Sequence, residues 1–205
     1  MSVPIDVTIG RERTQRAQVV KQADVVALSA LFWERFPVAV HEANVRYYAP
    51  RTAHGSSLSP ALHAVVSARL GEADLAAQYF HDAAAIDLSN HMGNAAGGVH
   101  VATLGGLWQA VVFGMGGVRL RDDGLVLHPN LPSNWDRLSF PLQWRGRSVT
   151  VAINREPKQV TVELRTGDPM TIQLGQGPIQ VMTSNHRYVI HEERSGWGAW
   201  QESKR

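Results

Sequence analysis

From about residue 16 to residue 113, apolar positions recur at the three-to-four-residue spacing of helices. After residue 115 they alternate with polar ones in short runs. The first stretch predicts a helix from about Arg16 to Phe36, ended by Pro37. Val19, Val20, Ala23, Val25, Val26, Ala27, Leu28, Ala30, Leu31 and Phe32 occupy most of its circumference, so burial on nearly all sides is expected. A second helix starts behind Ser59 with Pro60 in its first turn. It places Leu62, Val65, Val66 and Leu70 on one stripe and stops at Gly71. The third opens with Glu72 and Asp74 and directs Leu75, Tyr79, Phe80, Ala83 and Ile86 inward. So short a turn makes these two helices antiparallel neighbours. A fourth runs from about Val99 to Phe113 through Gly105-Gly106, which costs about 1 kcal/mol per glycine unless close packing offsets it.

The second part reads as strands. Gly116 to Leu120 turns at Asp122-Asp123-Gly124 and returns as Leu125 to Leu127. Further strands are predicted at Leu138–Trp144, Ser148–Ile153, Gln159–Leu164, Met170–Leu174 and Ile179–Met182, with Arg145-Gly146-Arg147 and Thr166-Gly167-Asp168-Pro169 as turns. Closely spaced short strands predict a small antiparallel β-sandwich, so the fold class is α+β. The expected division is a helical part over 1–115, a β domain over 116–191 and a loose tail over 192–205, despite Trp197 and Trp200.

Composition narrows the function classes. The chain has 205 residues, 44% of them hydrophobic and 19% charged, which excludes a disordered or collagen-like chain. Without cysteine it has no disulfide, no thiolate nucleophile and no cysteine-built zinc site. A net charge of +2, spread along the chain, gives no case for nucleic acid, and no apolar run reaches the roughly 20 residues of a membrane span. The amino terminus, Met1 to Asp6, lacks the basic and apolar regions of a secretory signal, so a cytoplasmic location is expected.

Polar groups interrupt the apolar helices at three places: Lys21-Gln22, His54-Gly55-Ser56-Ser57-Leu58-Ser59, and Gly97-Gly98-Val99-His100. Each stands at or near a predicted helix amino end, where unpaired N–H groups and the helix dipole favour an anion. Each also has a purely structural reading. Ser56, Ser57 and Ser59 could cap a helix, Lys21 could pair with Asp24, and His100 could be a structural histidine. Gly93, Gly97 and Gly98 suit a loop with positive φ. His41, His63, His81 and His91 show no metal-ligand spacing with a carboxylate on the same face, so no metal is predicted.

At these residues the sequence resembles glycoside hydrolase family 65, which contains the maltose, trehalose and kojibiose phosphorylases and related hydrolases. The resemblance rests on ordered blocks: Lys21-Gln22-Ala23-Asp24-Val25, Asn44 to Tyr48, Thr52 to Ser59, Ala85-Ile86-Asp87-Leu88, Gly98 to Ala102, Gly105 to Gly114, and Pro129-Asn130-Leu131-Pro132 with Trp135. It implies the last helices of an (α/α)6 barrel followed by a carboxyl-terminal β domain. It therefore implies the carboxyl-terminal portion of a longer enzyme, which would act as a homo-oligomer or with a complementing chain. An exposed apolar patch around Val25, Leu28 and Trp108 is the corresponding expectation.

The activity implied is inverting phosphorolysis. A glutamic acid, expected upstream of Met1, protonates the glycosidic oxygen while inorganic phosphate attacks the anomeric carbon, giving β-glucose 1-phosphate and glucose. Phosphate is a co-substrate and no cofactor is implied. By motif, Lys21 and Gln22 would hold sugar hydroxyls, and His54, Ser56, Ser57, Gly98 and His100 would hold phosphate. A hydrolase would instead need a second carboxylate, about 6.5–9.5 Å from the acid, as base for water. The segment His54 to Ser59 has none, and a carboxylate facing the site from Asp24 or from outside the fragment would favour hydrolysis. A third possibility is a non-catalytic carbohydrate-binding or assembly protein using Trp135 and Trp144, residues that equally suit a core. Without its general acid the chain alone is expected to be inactive.

Overall fold

The computed structural model describes residues 5–54, 56–90, 93, 95–194 and 196–204, so Gly55, His91 and Met1 to Pro4 lie outside the described residues. The chain forms two compact units, 1–115 and 116–205.

The helical unit comprises α1 (Ile5–Ile9), α2 (Arg11–Arg16), α3 (Asp24–Leu31), α4 (Val38–Tyr48), α5 (Ser59–Arg69), α6 (Ala73–Leu88) and α7 (Val101–Gln109), which continues as a π-helical turn over Ala110–Met115. The single helix expected over Arg16 to Phe36 is broken. The Val20 N–H donates to the Arg51 carbonyl (3.0 Å) and the Ala53 N–H to the Val20 carbonyl (2.9 Å). These bonds form a parallel bridge between Val20 and Thr52 and hold residues 18–22 out of a helix. Nor is this segment buried all round: Val26 and Ser29 are buried, whereas Leu28 is 46%, Leu31 73% and Phe32 49% exposed.

Periodicity did not predict α4, for a visible reason. Its buried position is the polar His41, while Val38 and Val40 are exposed. The His41 Nε2–H donates to the Trp33 carbonyl (3.0 Å) and its ring stacks on Trp33 with centroids 4.1 Å apart.

Helix α5 is the centre of the unit, buried from Ser59 through Ala68. Small residues let α7 approach it. A Cβ on Gly106 would stand 2.6 Å from the Cβ of Ala61, and one on Gly114 would stand 3.2 Å from the Cα of Val65. Close packing therefore offsets the helical cost of Gly106, whereas Gly105 faces open space. Arg69, at the end of α5, ties three elements together. Its Nη1 donates to the Ala30 carbonyl (2.5 Å), its Nε donates to the Phe113 carbonyl (3.2 Å), and its guanidinium lies over the Trp33 ring. On α6, Ala83 and Ile86 are buried and Tyr79 and Phe80 half-buried. Leu75 is exposed rather than inward.

The β unit contains two sheets. One has the order β1 (Val118–Leu120), β2 (Gly124–Leu127), β6 (Met170–Leu174), β7 (Ile179–Met182); the other has the order β10 (Gln201–Lys204), β8 (His186–Glu193), β5 (Gln159–Thr166), β4 (Arg147–Asn154), β3 (Arg137–Trp144). Pairing is antiparallel except between β2 and β6, which are parallel. Alternation buries Leu138, Phe140 and Leu142 of β3, Val149, Val151 and Ile153 of β4, and Met170, Ile172 and Leu174 of β6. Between β3 and β4, Arg145 (φ 47°) and Gly146 (φ 74°) form the two-residue turn that suits strand twist. The tail expected to be loose is ordered. Gln201 to Lys204 pair with Val189 to His186, and β9 (Gly196–Trp197) pairs with Glu193 and Glu192. Its alternation is too short to read from sequence, and the open edge of β8 recruits it.

Candidate functional site

The bridge that breaks the first helix also assembles the polar segments. Because Val20 and Thr52 pair in parallel, Lys21-Gln22 and Ala53-His54 continue from the same point in the same direction. Lys21 and Gln22 are exposed at the mouth of a cavity of about 440 Å³, lined also by Val20, Asp24, Tyr48 and Thr52. Among the described residues no ion pair joins Lys21 to Asp24, so the ammonium stays available to a ligand.

The segment from His54 to Ser59 does not cap α5 with a serine. The N-cap position is Leu58 and no side chain bonds to the helix end. The Ser59 hydroxyl instead shares a 2.9 Å hydrogen bond with His54 Nδ1. Ser56 and Ser57 are half-buried, with no side-chain partner among the described residues. Their backbone is held to α7, since the buried Thr103 hydroxyl donates to the Ser57 carbonyl at 2.8 Å. This bond brings the serine segment to the first turn of α7.

His100 occupies the N-cap of α7, and one carboxylate grips it twice. Its Nδ1–H donates to Asp87 Oδ1 at 2.6 Å, and its backbone N–H donates to Asp87 Oδ2 at 3.0 Å. The imidazole's hydrogen bond is the main cause that holds the Asp87 carboxyl below the usual carboxylate range, so Asp87 is ionised at neutral pH. Gly98, with φ 118°, turns the chain into this position in a conformation that side chains rarely adopt. Gly93 also has positive φ, at 70°, whereas Gly97 lies in a 3-10 turn.

His54 packs among other rings. It sits at φ 52° with its ring 4.8 Å from His63 and 5.8 Å from Tyr79. Burial lowers its pKa, against an opposing pull from Asp82. Beneath it, the fully buried His63 donates from Nδ1 to the Ser59 carbonyl (2.9 Å), and burial pushes its pKa down to about 4. This pair is a neutral scaffold under the serine segment.

Sequence reasoning missed Asp87, Thr103 and His63 as supports of the site. Asp87 carried a readable signal: an acidic residue in the last turn of a helix opposes the helix dipole and calls for a partner elsewhere. No signal marked Thr103 or His63, whose partners are backbone carbonyls. Among the described residues no group of His, Asp and Glu forms a metal cluster, and no helix is long and apolar enough to cross a membrane.

Residues 2–109 match the glycosyl hydrolase family 65 central catalytic domain, and residues 118–181 match the carboxyl-terminal domain of the same family. The chain belongs to glycosyl hydrolase family 65. A kojibiose phosphorylase of Halothermothrix orenii is 46% identical over 71% of this chain and 19% of its own length. The trehalose phosphorylase of Geobacillus stearothermophilus is 38% identical over 78% of this chain and 20% of its own. The maltose phosphorylase of Bacillus subtilis is 33% identical over 88% and 24%. The chain thus spans about a fifth of these family 65 relatives, comprising part of the central domain followed by the carboxyl-terminal domain. A solved structure from the human microbiome, provisionally identified as a kojibiose phosphorylase, superposes with a TM-score of 0.79 at 27% identity, covering 98% of this chain and 27% of its own.

Proposed function

We propose that this chain supplies the phosphate-binding segment and part of the sugar pocket of an inverting phosphorylase that cleaves an α-glucosidic disaccharide. The observation that carries the reading is the meeting of Ser57 and the first turn of α7 through Thr103, with His100 at the N-cap of that helix. Unpaired serine hydroxyls, the first N–H groups of α7 and one imidazole nitrogen there suit a tetrahedral oxyanion. Phosphate held by hydroxyls and N–H donors keeps an oxygen lone pair for the anomeric carbon. Lys21 and Gln22 hold hydroxyls of the sugar at the cleaved position, and a glutamic acid upstream gives the leaving oxygen its proton. Burial disfavours the charged form of His54, whose Nδ1 is taken by the Ser59 hydroxyl, and the residue supports the serine segment from below.

The test is titration of the chain with inorganic phosphate, followed by nuclear magnetic resonance. Shifts are expected at Ser56, Ser57, Gly98, His100 and the N–H groups of the first turn of α7. Ser57→Ala should weaken phosphate roughly ten-fold, the loss of one hydrogen bond to a charged group. It should leave the melting temperature unchanged, because no serine caps α5. Absence of any phosphate-dependent shift at these residues refutes the reading. The chain alone is expected not to turn over kojibiose, trehalose or maltose with phosphate, and turnover by the purified chain would overturn that expectation.

Hydrolysis is the second reading. It rests on Asp24, which lines the same cavity as Lys21 and Gln22. In a chimera restored with an upstream region from a relative, hydrolysis would be lost on Asp24→Asn and would proceed without phosphate. Phosphorolysis would survive that change.

A further inference from the structure

We infer that Asp87 is a positioning residue for phosphate, fixing the His100 ring so that Nε2 alone is presented to the anion. The inference rests on the phosphate reading above and adds the group that sets the state of its imidazole.

The geometry is specific. Asp87 lies in the last turn of α6 and His100 caps α7, so the two Asp87–His100 bonds join the ends of two helices. With Nδ1–H given to Oδ1 and the backbone N–H to Oδ2, both Asp87 oxygens are used on one residue, and the ring can neither flip nor slide along the carboxylate. The side chains are 19% and 13% exposed, which leaves an open edge, and Nε2 has no partner among the described residues.

A purely structural role would not require a titratable ring. Asparagine at position 100 could also donate to a carboxylate while capping a helix. The imidazole adds a second nitrogen on its far edge, pointing away from the carboxylate. When phosphate binds there the ring stands between two anions, one at each nitrogen. It then carries both protons, giving Nδ1–H to Asp87 and Nε2–H to a phosphate oxygen as a charge-assisted hydrogen bond. Asp87 also takes up the His100 N–H. The α7 donors left for phosphate are therefore those of Val101, Ala102 and Thr103, whose N–H groups precede the first helical bond, from Leu104 to the His100 carbonyl. Asp87 thus sets both which imidazole atom and which part of the helix end phosphate meets.

The experiment uses the 205-residue chain, inorganic phosphate as probe, and ¹⁵N-labelled histidine. In the unaltered protein both His100 nitrogens should be protonated in the phosphate-bound state. In Asp87→Asn, whose amide keeps the shape but not the charge, one nitrogen should lose its proton and phosphate should bind at least about ten-fold more weakly. The same change in a His100→Ala background should weaken phosphate no further, because Asp87 acts only through His100. This cycle compares variants sharing any loss of stability, so it remains decisive if Asp87→Asn melts earlier. If Asp87→Asn leaves the His100 nitrogens and the phosphate affinity unchanged, or costs as much without His100 as with it, the inference is overturned while the phosphate site stands. If phosphate leaves His100 unperturbed in the unaltered protein, the phosphate reading fails and the inference with it.

Discussion

Two adjacent glycines in α7 should respond oppositely to the same substitution. Each Gly→Ala change in a helix interior gains about 1 kcal/mol of helix propensity. For Gly105→Ala that is the whole effect, since the new methyl meets open space, and a gain of about 0.5–1 kcal/mol is expected. For Gly106→Ala the methyl would stand 2.6 Å from the Ala61 Cβ and 3.4 Å from a Leu58 methyl. Carbon atoms rest at about 3.5–4.0 Å, so α7 must retreat from α5 by roughly 1 Å. Neither methyl can rotate away, because both Cβ atoms are fixed to helical backbone. Overpacking of this kind costs about 1–3 kcal/mol, which leaves a net loss of up to about 2 kcal/mol after the propensity gain. Urea denaturation followed by the far-ultraviolet helical signal measures both variants, and the two should differ by about 2 kcal/mol. The same retreat reaches the site. The Thr103–Ser57 bond is 2.8 Å long, and an added ~1 Å exceeds hydrogen-bonding range, so Gly106→Ala should also weaken phosphate while Gly105→Ala should not. Equal stability of the two variants, or a Gly106→Ala protein that gains as much as Gly105→Ala, would refute the close contact of α5 and α7.

Two further outcomes are expected. His63 has a folded-state pKa of about 4 against an ordinary 6.5, so the unfolded chain binds the extra proton first. Stability of the helical unit is therefore full above pH 6.5 and lost as pH falls toward 4, by about 3 kcal/mol from this group; unfolding free energies measured across that window should flatten in His63→Gln. Arg69→Ala removes the bonds to the Ala30 and Phe113 carbonyls and should cost about 2–3 kcal/mol, with Arg69→Lys recovering part of it, as read by thermal melting of both variants.

Local patterns determined the strands, the α5–α6 hairpin and the loops that carry Ser56, Ser57, Gly98 and His100. In those segments one face is apolar and one polar, and turn residues punctuate them, so each residue's environment follows from near neighbours in sequence. The membership of the family was legible for a related reason, because the site residues lie in contiguous blocks. What failed, failed where pairing is remote. Val20 meets Thr52 across more than thirty positions, and only that backbone pairing turns a uniformly apolar run into an extended segment followed by the short α3. The polar His41 is buried because Trp33 gives it both a ring to stack on and a carbonyl to bond, a partnership with no periodic trace. The final strand forms because β8 has an edge to offer, although its own sequence is too short to specify it. Asp87 and His100 stand thirteen residues apart at the ends of different helices, and neither identifies the other as its partner in the sequence. Folding α6 against α7 turns them into one hydrogen-bonded pair, because a bond of 2.6 Å depends on where two helix ends finish and not on either helix alone.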